Sequence, residues 1–270
     1  MKNHIKIVTL LLFVSLSGCN KDDNPVEPGS SDNNSITIWY GSKDYPADSL
    51  KSWGLGKTQE SYYHNDKDYY WYIDQATTGS ASGNNCGPSS VTMAIKWYDK
   101  NFSKSAADAR DMYPNNGGWW YTNNITDYLN HYSIPNSTVQ FTGSAQLEDI
   151  IKNGSIVILC INTDYLRMNS SSTQRVDRFY SYSSGHFIVV KGARTVDNEM
   201  YFETYDPNNW YQKYSDNSMK GENRHYRSED LSASIKNWWN YLIVIQKNQL
   251  GKKYIDNSVD TKSIPVAWGR

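Results

Sequence analysis

Two rhythms of apolar and polar residues run along the chain. In the first, apolar residues recur at Val91, Ala94, Ile95 and Tyr98, one face of a helix, and Pro88 just ahead suits a first helical turn. Similar spacing predicts helices over residues 105–112, with Ser105 as N-cap, and over 122–132 from Ile125, Tyr128 and Leu129. A further helix over 144–152 rests on Leu147, Ile150 and Ile151, and Asn153-Gly154 ends it. In the second rhythm apolar residues run together in short blocks. Residues 156–161 read as a buried strand, 185–192 and 200–205 as a hairpin turning at Asp197-Asn198, and 241–245 as a last strand. Aromatic-rich residues 36–40 and 69–73 read as two more strands, whereas 41–68 show no usable period. Residues 162–184 read as a long polar loop, mobile and close to a substrate. Helices first and an antiparallel run of strands afterwards predict an α+β fold, one domain over residues 36–270.

The start of the chain follows a different rule. Lys2 and Lys6 precede an apolar run from Ile7 to Leu16 that is too short to span a bilayer as a mature helix, so residues 1–18 read as a secretory signal. Leu16-Ser17-Gly18-Cys19 resembles the lipobox of bacterial lipoproteins. That resemblance implies that Cys19 is acylated and becomes the mature N-terminus, with the membrane met through the lipid anchor alone. Lys21-Asp22-Asp23 is similar to short surface-export tags, and the expected location is the outer membrane or cell surface. Residues 20–35, polar and rich in Pro, Gly and Ser, read as a flexible tether between Cys19 and the domain. Without Lys2 and Lys6 the chain carries 25 basic and 28 acidic residues, and no basic cluster of the kind nucleic-acid binding needs. The expected state is a monomer that binds no nucleic acid.

Chemistry concentrates at Asn84-Asn85-Cys86-Gly87-Pro88. Cys86 falls at or just before a helix N-terminus, where unpaired N–H groups and the positive end of the dipole favour thiolate over thiol. A cysteine nucleophile needs a base, and the base needs a group to hold it. Among the five histidines, His4 lies in the signal, His64 in the unassigned acidic stretch, His131 at a helix end and His225 in a loop of mixed charge. His186 alone stands at the mouth of an apolar strand, preceded by Gly185. Counting from the hairpin turn sets residues 208 or 209 opposite His186, so Asp206-Pro207-Asn208-Asn209 leaves the sheet beside it. Asp206 and Asn208 both stand as candidates to orient the imidazole. Cys160, inside a buried strand, reads as a structural, unpaired thiol rather than a disulfide partner of Cys86. No His, Cys or Asp grouping has metal-ligand spacing and no glycine-rich phosphate loop follows a strand, so neither metal nor cofactor is expected. The pairs Trp119-Trp120 and Trp238-Trp239 read chiefly as packing residues. Neighbours on a strand point to opposite faces, so at most one of each pair is expected to meet a ligand.

Asn-Cys-Gly-Pro-Ser at residues 85–89, Gly-His-Phe-Ile-Val-Val-Lys-Gly at 185–192 and Tyr-Asp-Pro at 205–207 together resemble the papain-like cysteine peptidases of the bacteriocin-processing, double-glycine-leader type and their secreted bacterial relatives. The resemblance spans roughly residues 75–209. It implies a papain-like fold with N-terminal helices packed on an antiparallel sheet, Cys86 as nucleophile, His186 as general base and acid, and Asp206 as orienter. It also implies a glutamine shortly before the nucleophile that binds the oxyanion together with the Cys86 N–H. Gln75, eleven residues ahead, is the nearest glutamine, with Asn84 and Asn85 as alternatives. The expected activity is cleavage of protein or peptide amide bonds through an acyl-enzyme. A peptidoglycan amide hydrolase or acyltransferase with the same triad, and a non-catalytic glycan- or protein-binding lipoprotein, are the rival readings.

Overall fold

The structure, a computed structural model, describes residues 47–246. A short helix α1 (Ala47–Ser52) and a strand β1 (Gln59–His64) precede three helices, α2 (Cys86–Tyr98), α3 (Ala106–Met112) and α4 (Thr122–His131). Strand β2 (Asn136–Gln140) and α5 (Ser144–Lys152) lead to β3 (Ile156–Asn162) and the hairpin of β4 (Gly185–Val196) and β5 (Glu199–Tyr205). The described chain closes with β6 (Arg224–Arg227), α6 (Ser228–Lys236) and β7 (Tyr241–Ile245). The strands form one antiparallel sheet in the order β2-β7-β3-β4-β5-β6. The long β4 pairs with β3 through its first half and with β1 through its second.

Alternation along the central strands divides the core. Ile156, Ile158 and Cys160 join the cluster formed with α2 and α4, while Val157, Leu159 and Ile161 join the cluster formed with α5 and α6. A sheet covered on both faces needs apolar residues at every position, which is why β3 and β7 read as unbroken apolar runs. Helix α2 is buried through residues 87–95, and Trp97 is buried with them. The single apolar face expected of it is thus too narrow: Met93 and Trp97 fill the core, and Tyr98 is 42 % exposed. Ser105 caps α3 in a reciprocal capping box, its Oγ accepting the Asp108 N–H while the Asp108 carboxylate accepts the Ser105 N–H.

Several expectations change. Residues 36–40 lie outside the described residues. Residues 69–73 form no strand, because their aromatic side chains rather than their backbone anchor them. The Tyr69 hydroxyl donates to the carbonyls of Lys96 and Trp97, Trp71 Nε1 to Asp66, and the Tyr72 hydroxyl to the Asp206 carbonyl. His64 and His225 stand in strands, both buried, rather than in loops. The stretch 162–184 is no freely solvated loop, since residues 175–180 are buried. The Arg224 guanidinium straps it down by donating to the carbonyls of Asn169, Gln174 and Val176.

Charge is buried between β1, β4, β5 and β6. Glu203 accepts from Lys191 Nζ at 2.7 Å, from Arg194 Nη2 at 2.9 Å and from the Tyr62 hydroxyl at 2.7 Å. Lys191 also reaches Asp66 at 2.8 Å. At the hairpin turn the Asp197 carboxylate accepts the N–H groups of Lys57 and Thr58. Leu50 and Leu55 pack there against Val176, Val196 and Tyr201. The described chain therefore begins at the end of β4 opposite the one that carries His186.

Candidate active site

Cys86 is the first residue of α2. Asn85 occupies the N-cap position but does not cap the helix. Both hydrogens of its amide go to Thr78, at the carbonyl and the hydroxyl, and its oxygen accepts from Arg110 Nε at 2.7 Å. With no side-chain cap, the Gly87 N–H in the first turn of α2 bonds the Cys86 sulfur, while Pro88 has no N–H and the Ser89 N–H goes to the Asn85 carbonyl. Arg110 ties the site together further, donating to the carbonyls of Asn84 and Gly118. It thereby fixes α3, the turn before Cys86 and the loop that leads to Trp119.

His186 is the second residue of β4 and only 5 % exposed. Its Nε2 lies 2.7 Å from Asp206 Oδ1, so Nδ1 is the nitrogen left to face the Cys86 thiol, with which the ring is hydrogen-bonded. The hairpin register pairs Val189 with Tyr205, which brings the residues just past β5 alongside His186. It is Asp206, not Asn208, that meets the imidazole. The Asn208 amide oxygen instead accepts from the Tyr182 hydroxyl and from Trp210 Nε1. Asp206 is fully buried, and its carboxylate also accepts the Tyr226 hydroxyl at 2.6 Å, the Tyr180 hydroxyl at 3.2 Å and the Asn208 N–H at 2.9 Å.

The electrostatics follow from these contacts. Burial opposes an imidazolium at His186, but the charge and hydrogen bond of Asp206, then the bond to Cys86, push it up to about 10. Burial likewise favours a neutral thiol at Cys86. The hydrogen bond and charge of His186, with the N–H groups of Phe187 and Gly87, outweigh it and hold the thiol below its ordinary value. Burial would raise Asp206, yet His186 and then the Tyr226 hydroxyl hold its carboxyl below the usual carboxylate range. The arrangement thus favours the thiolate–imidazolium pair over the neutral one. Cys160 faces the same cleft as a free thiol, and burial, then the charge of Cys86, push it well up.

Gln75 reaches the cleft across the eleven-residue gap because the segment before it is docked on the loop after Asp206. The Gln75 N–H donates to the Pro207 carbonyl at 2.8 Å. The buried Asp74 carboxylate accepts from the N–H groups of Ala76, Trp210 and Tyr211 and from Asn209 Nδ2. Gln75 Nε2 donates to the Ser82 carbonyl, and Oε1 is buried without a partner. Asn85 has no free amide hydrogen and does not line the cleft, and the Asn84 amide bonds the Gly117 carbonyl and Trp119 Nε1. Of the three amides weighed for the oxyanion, Gln75 has the least committed side chain.

The cleft holds about 260 Å³ and contains Cys86, His186, Gln75 and Asn208 in its wall. Both tryptophan pairs line it, contrary to the expectation of one residue from each. That expectation assumed strands, and neither pair is in one: Trp119-Trp120 precedes α4 and Trp238-Trp239 follows α6, in irregular backbone. Asp74, Arg110, Tyr180 and Tyr226 escaped the sequence reading, for each acts through a contact remote along the chain. No grouping of His, Cys, Asp and Glu fit to hold a metal occurs among the described residues.

Comparison with known proteins adds two findings. The model of the Peptidase_C39 like family matches residues 67–234, a span that includes Gln75, Cys86, His186 and Asp206. A crystal structure of a candidate C39-like peptidase from Bacillus anthracis is similar over 66 % of this chain and 95 % of its own, at 12 % identity and a TM-score of 0.44. No significant match is found among curated proteins.

Proposed function

This chain belongs to the Peptidase_C39 like family, a peptidase-type hydrolase of papain-like α+β fold, and from that premise we propose that Cys86, His186 and Asp206 are its catalytic residues. The Cys86 thiolate attacks the carbonyl carbon of a peptide bond in a protein or peptide substrate, forming a C–S bond. The carbonyl oxygen takes up negative charge between the Cys86 N–H and the free hydrogen of the Gln75 amide. As the C–N bond breaks, the imidazolium gives its proton to the departing amine. Neutral His186 then takes a proton from water, which attacks the acyl carbon; the C–S bond breaks, the acid leaves, and the Cys86 thiolate and His186 imidazolium are restored. Asp206 keeps the ring oriented and stabilises its charged form throughout.

The observation that carries this reading is one imidazole placed between a fully buried carboxylate at 2.7 Å and a thiol at a helix N-terminus. Export and anchoring through an acylated Cys19 complete the proposal. They are supported by the Leu16-Ser17-Gly18-Cys19 sequence, outside the described residues, and are tested by mass spectrometry of the mature N-terminus. The catalytic reading is tested by iodoacetamide labelling of Cys86 against pH, with peptide mapping. Cys86 should react fast below neutral pH, and His186→Ala should abolish that advantage. A Cys86 no faster than an ordinary thiol would overturn the triad.

A further inference from the structure

Each member of the Cys86–His186 pair has a glycine beside it, and each glycine seats a tryptophan. A Cβ on Gly87 would lie 2.9 Å from Trp120 Cβ, and one on Gly185 would lie 2.7 Å from the six-membered ring of Trp238. The indoles therefore rest directly on the backbone beside the reacting atoms, one on the helix side and one on the sheet side. Trp119 and Tyr182, each about half exposed, also line the cleft and are held by hydrogen bonds to Asn84 and Asn208.

The second observation concerns charge. Among the described residues, the cleft is lined, apart from Cys86 and His186, by aromatic, amide, hydroxyl and glycine residues and the Cys160 thiol, with no Lys, Arg, Asp or Glu among them. An ionised side chain entering it would lose its hydration and find no counter-charge.

We infer that the cleft selects a neutral peptide segment on the acyl side of the scissile bond, with an aromatic or large aliphatic side chain held between the walls formed by Trp120 and Trp238. This inference rests on the proposed nucleophile and goes beyond it in naming the substrate class. It separates the peptide reading from the peptidoglycan one, because stem peptides crowded with carboxylates are poor occupants of a wall without cations.

The test uses the mature chain and dipeptidyl acyloxymethyl ketones that carry Phe or Leu against Asp or Lys at the two acyl-side positions. Rates of Cys86 labelling are normalised to those with iodoacetamide, which is too small to report the walls. The Phe and Leu probes should label Cys86 about tenfold faster or more than the Asp and Lys probes. Trp119→Lys, placing a cation in the lining of the cleft, should speed the Asp probe by several-fold, on the order expected of a partly solvated charge pair. Tyr182→Lys serves the same purpose should the first variant fail to fold. Equal labelling by apolar and acidic probes, with fast iodoacetamide labelling intact, overturns the inference and leaves the triad standing. A Cys86 inert to every probe and to iodoacetamide overturns both.

Discussion

Asp74→Ala should separate stability from nucleophile activation at this site. The Asp74 carboxylate takes four N–H donors, three of them from residues 209–211 at 2.7–3.0 Å. Two are backbone groups of Trp210 and Tyr211, which adopt left-handed conformations with φ of 51° and 59° so that both N–H groups converge on one anion. Such a conformation costs a non-glycine residue roughly 1–2 kcal/mol, so the loop persists only while the anion holds it. Removing the carboxylate orphans the buried Asn209 amide hydrogen and the two backbone donors, at about 1–3 kcal/mol for each that water does not reach. The N–H groups of Ala76, Trp210 and Tyr211 are only part-buried and rehydrate in part, so the buried Asn209 hydrogen carries the largest share. Relaxation of the strained pair offsets part of the loss, and a net destabilisation of about 2 kcal/mol is expected. The same change unfastens Gln75 from the loop after Asp206, so turnover of a peptide substrate should fall by roughly 10- to 100-fold, the scale of a misplaced oxyanion donor. Iodoacetamide labelling of Cys86 needs no oxyanion donor and should keep its low-pH advantage. Urea unfolding, turnover and labelling on one preparation give the three numbers. A stability loss under about 1 kcal/mol, or turnover equal to that of the unchanged protein, would refute the reasoning.

Three further outcomes follow from the buried charges. Asp206→Asn removes the charge that raises His186 to about 10 and so weakens the imidazolium that holds the Cys86 thiol down, and the low-pH onset of Cys86 labelling should move to higher pH, read from the labelling profile. The linkage sign is that the raised His186 stabilises the fold fully below about 6.5 and ceases to do so as pH rises through about 10; Asp206→Asn should therefore flatten the loss of Tm on the alkaline side. Glu203→Gln leaves Lys191 and Arg194 buried with less than their compensating charge, and about 3–5 kcal/mol should be lost in chemical denaturation. His225 is pushed down to about 4 by burial and then by the charge of Arg194, so the unfolded chain binds a proton between about 6.5 and 4 that the folded chain refuses. Stability should fall as pH drops through that window, and Tm measured from pH 7 to pH 4 should show the fall diminished in His225→Gln.

What the sequence made legible was set by where side chains find their partners. Helix α5 and strands β3, β4, β5 and β7 announce themselves because their burial is apolar and periodic, so local pattern and tertiary packing agree. The neighbourhood of His186 was legible for a related reason, since the hairpin turn at Asp197-Asn198 counts residues 206–209 into place beside it; the choice of Asp206 over Asn208 was not, because it depends on how the chain turns after β5. Strands β1 and β6 were not legible. Their sequences, QESYYH and RHYR, look like surface loops because the partners that make burial tolerable, Glu203 and Arg194 among them, lie elsewhere along the chain. Residues 69–73 misled in the opposite direction. Tyr and Trp favour strands on average, but here the hydroxyl and indole groups reach carbonyls and a carboxylate, and no ladder forms. The role of both tryptophan pairs in the cleft was hidden because strand alternation does not apply to irregular backbone.

The division of β4 between two neighbours gives the domain a front and a back. His186 lies at one end of that strand and Val196, with the Asp197 carboxylate that grips residues 57 and 58, at the other. Ten residues of extended chain separate them, about 33 Å of strand. Helix α1 and residues 57–58 pack at the back, and the cleft opens at the front. A substitution in the grip of Asp197 on residues 57 and 58 therefore acts a full strand length from Cys86, so the two ends of β4 are open to change one at a time.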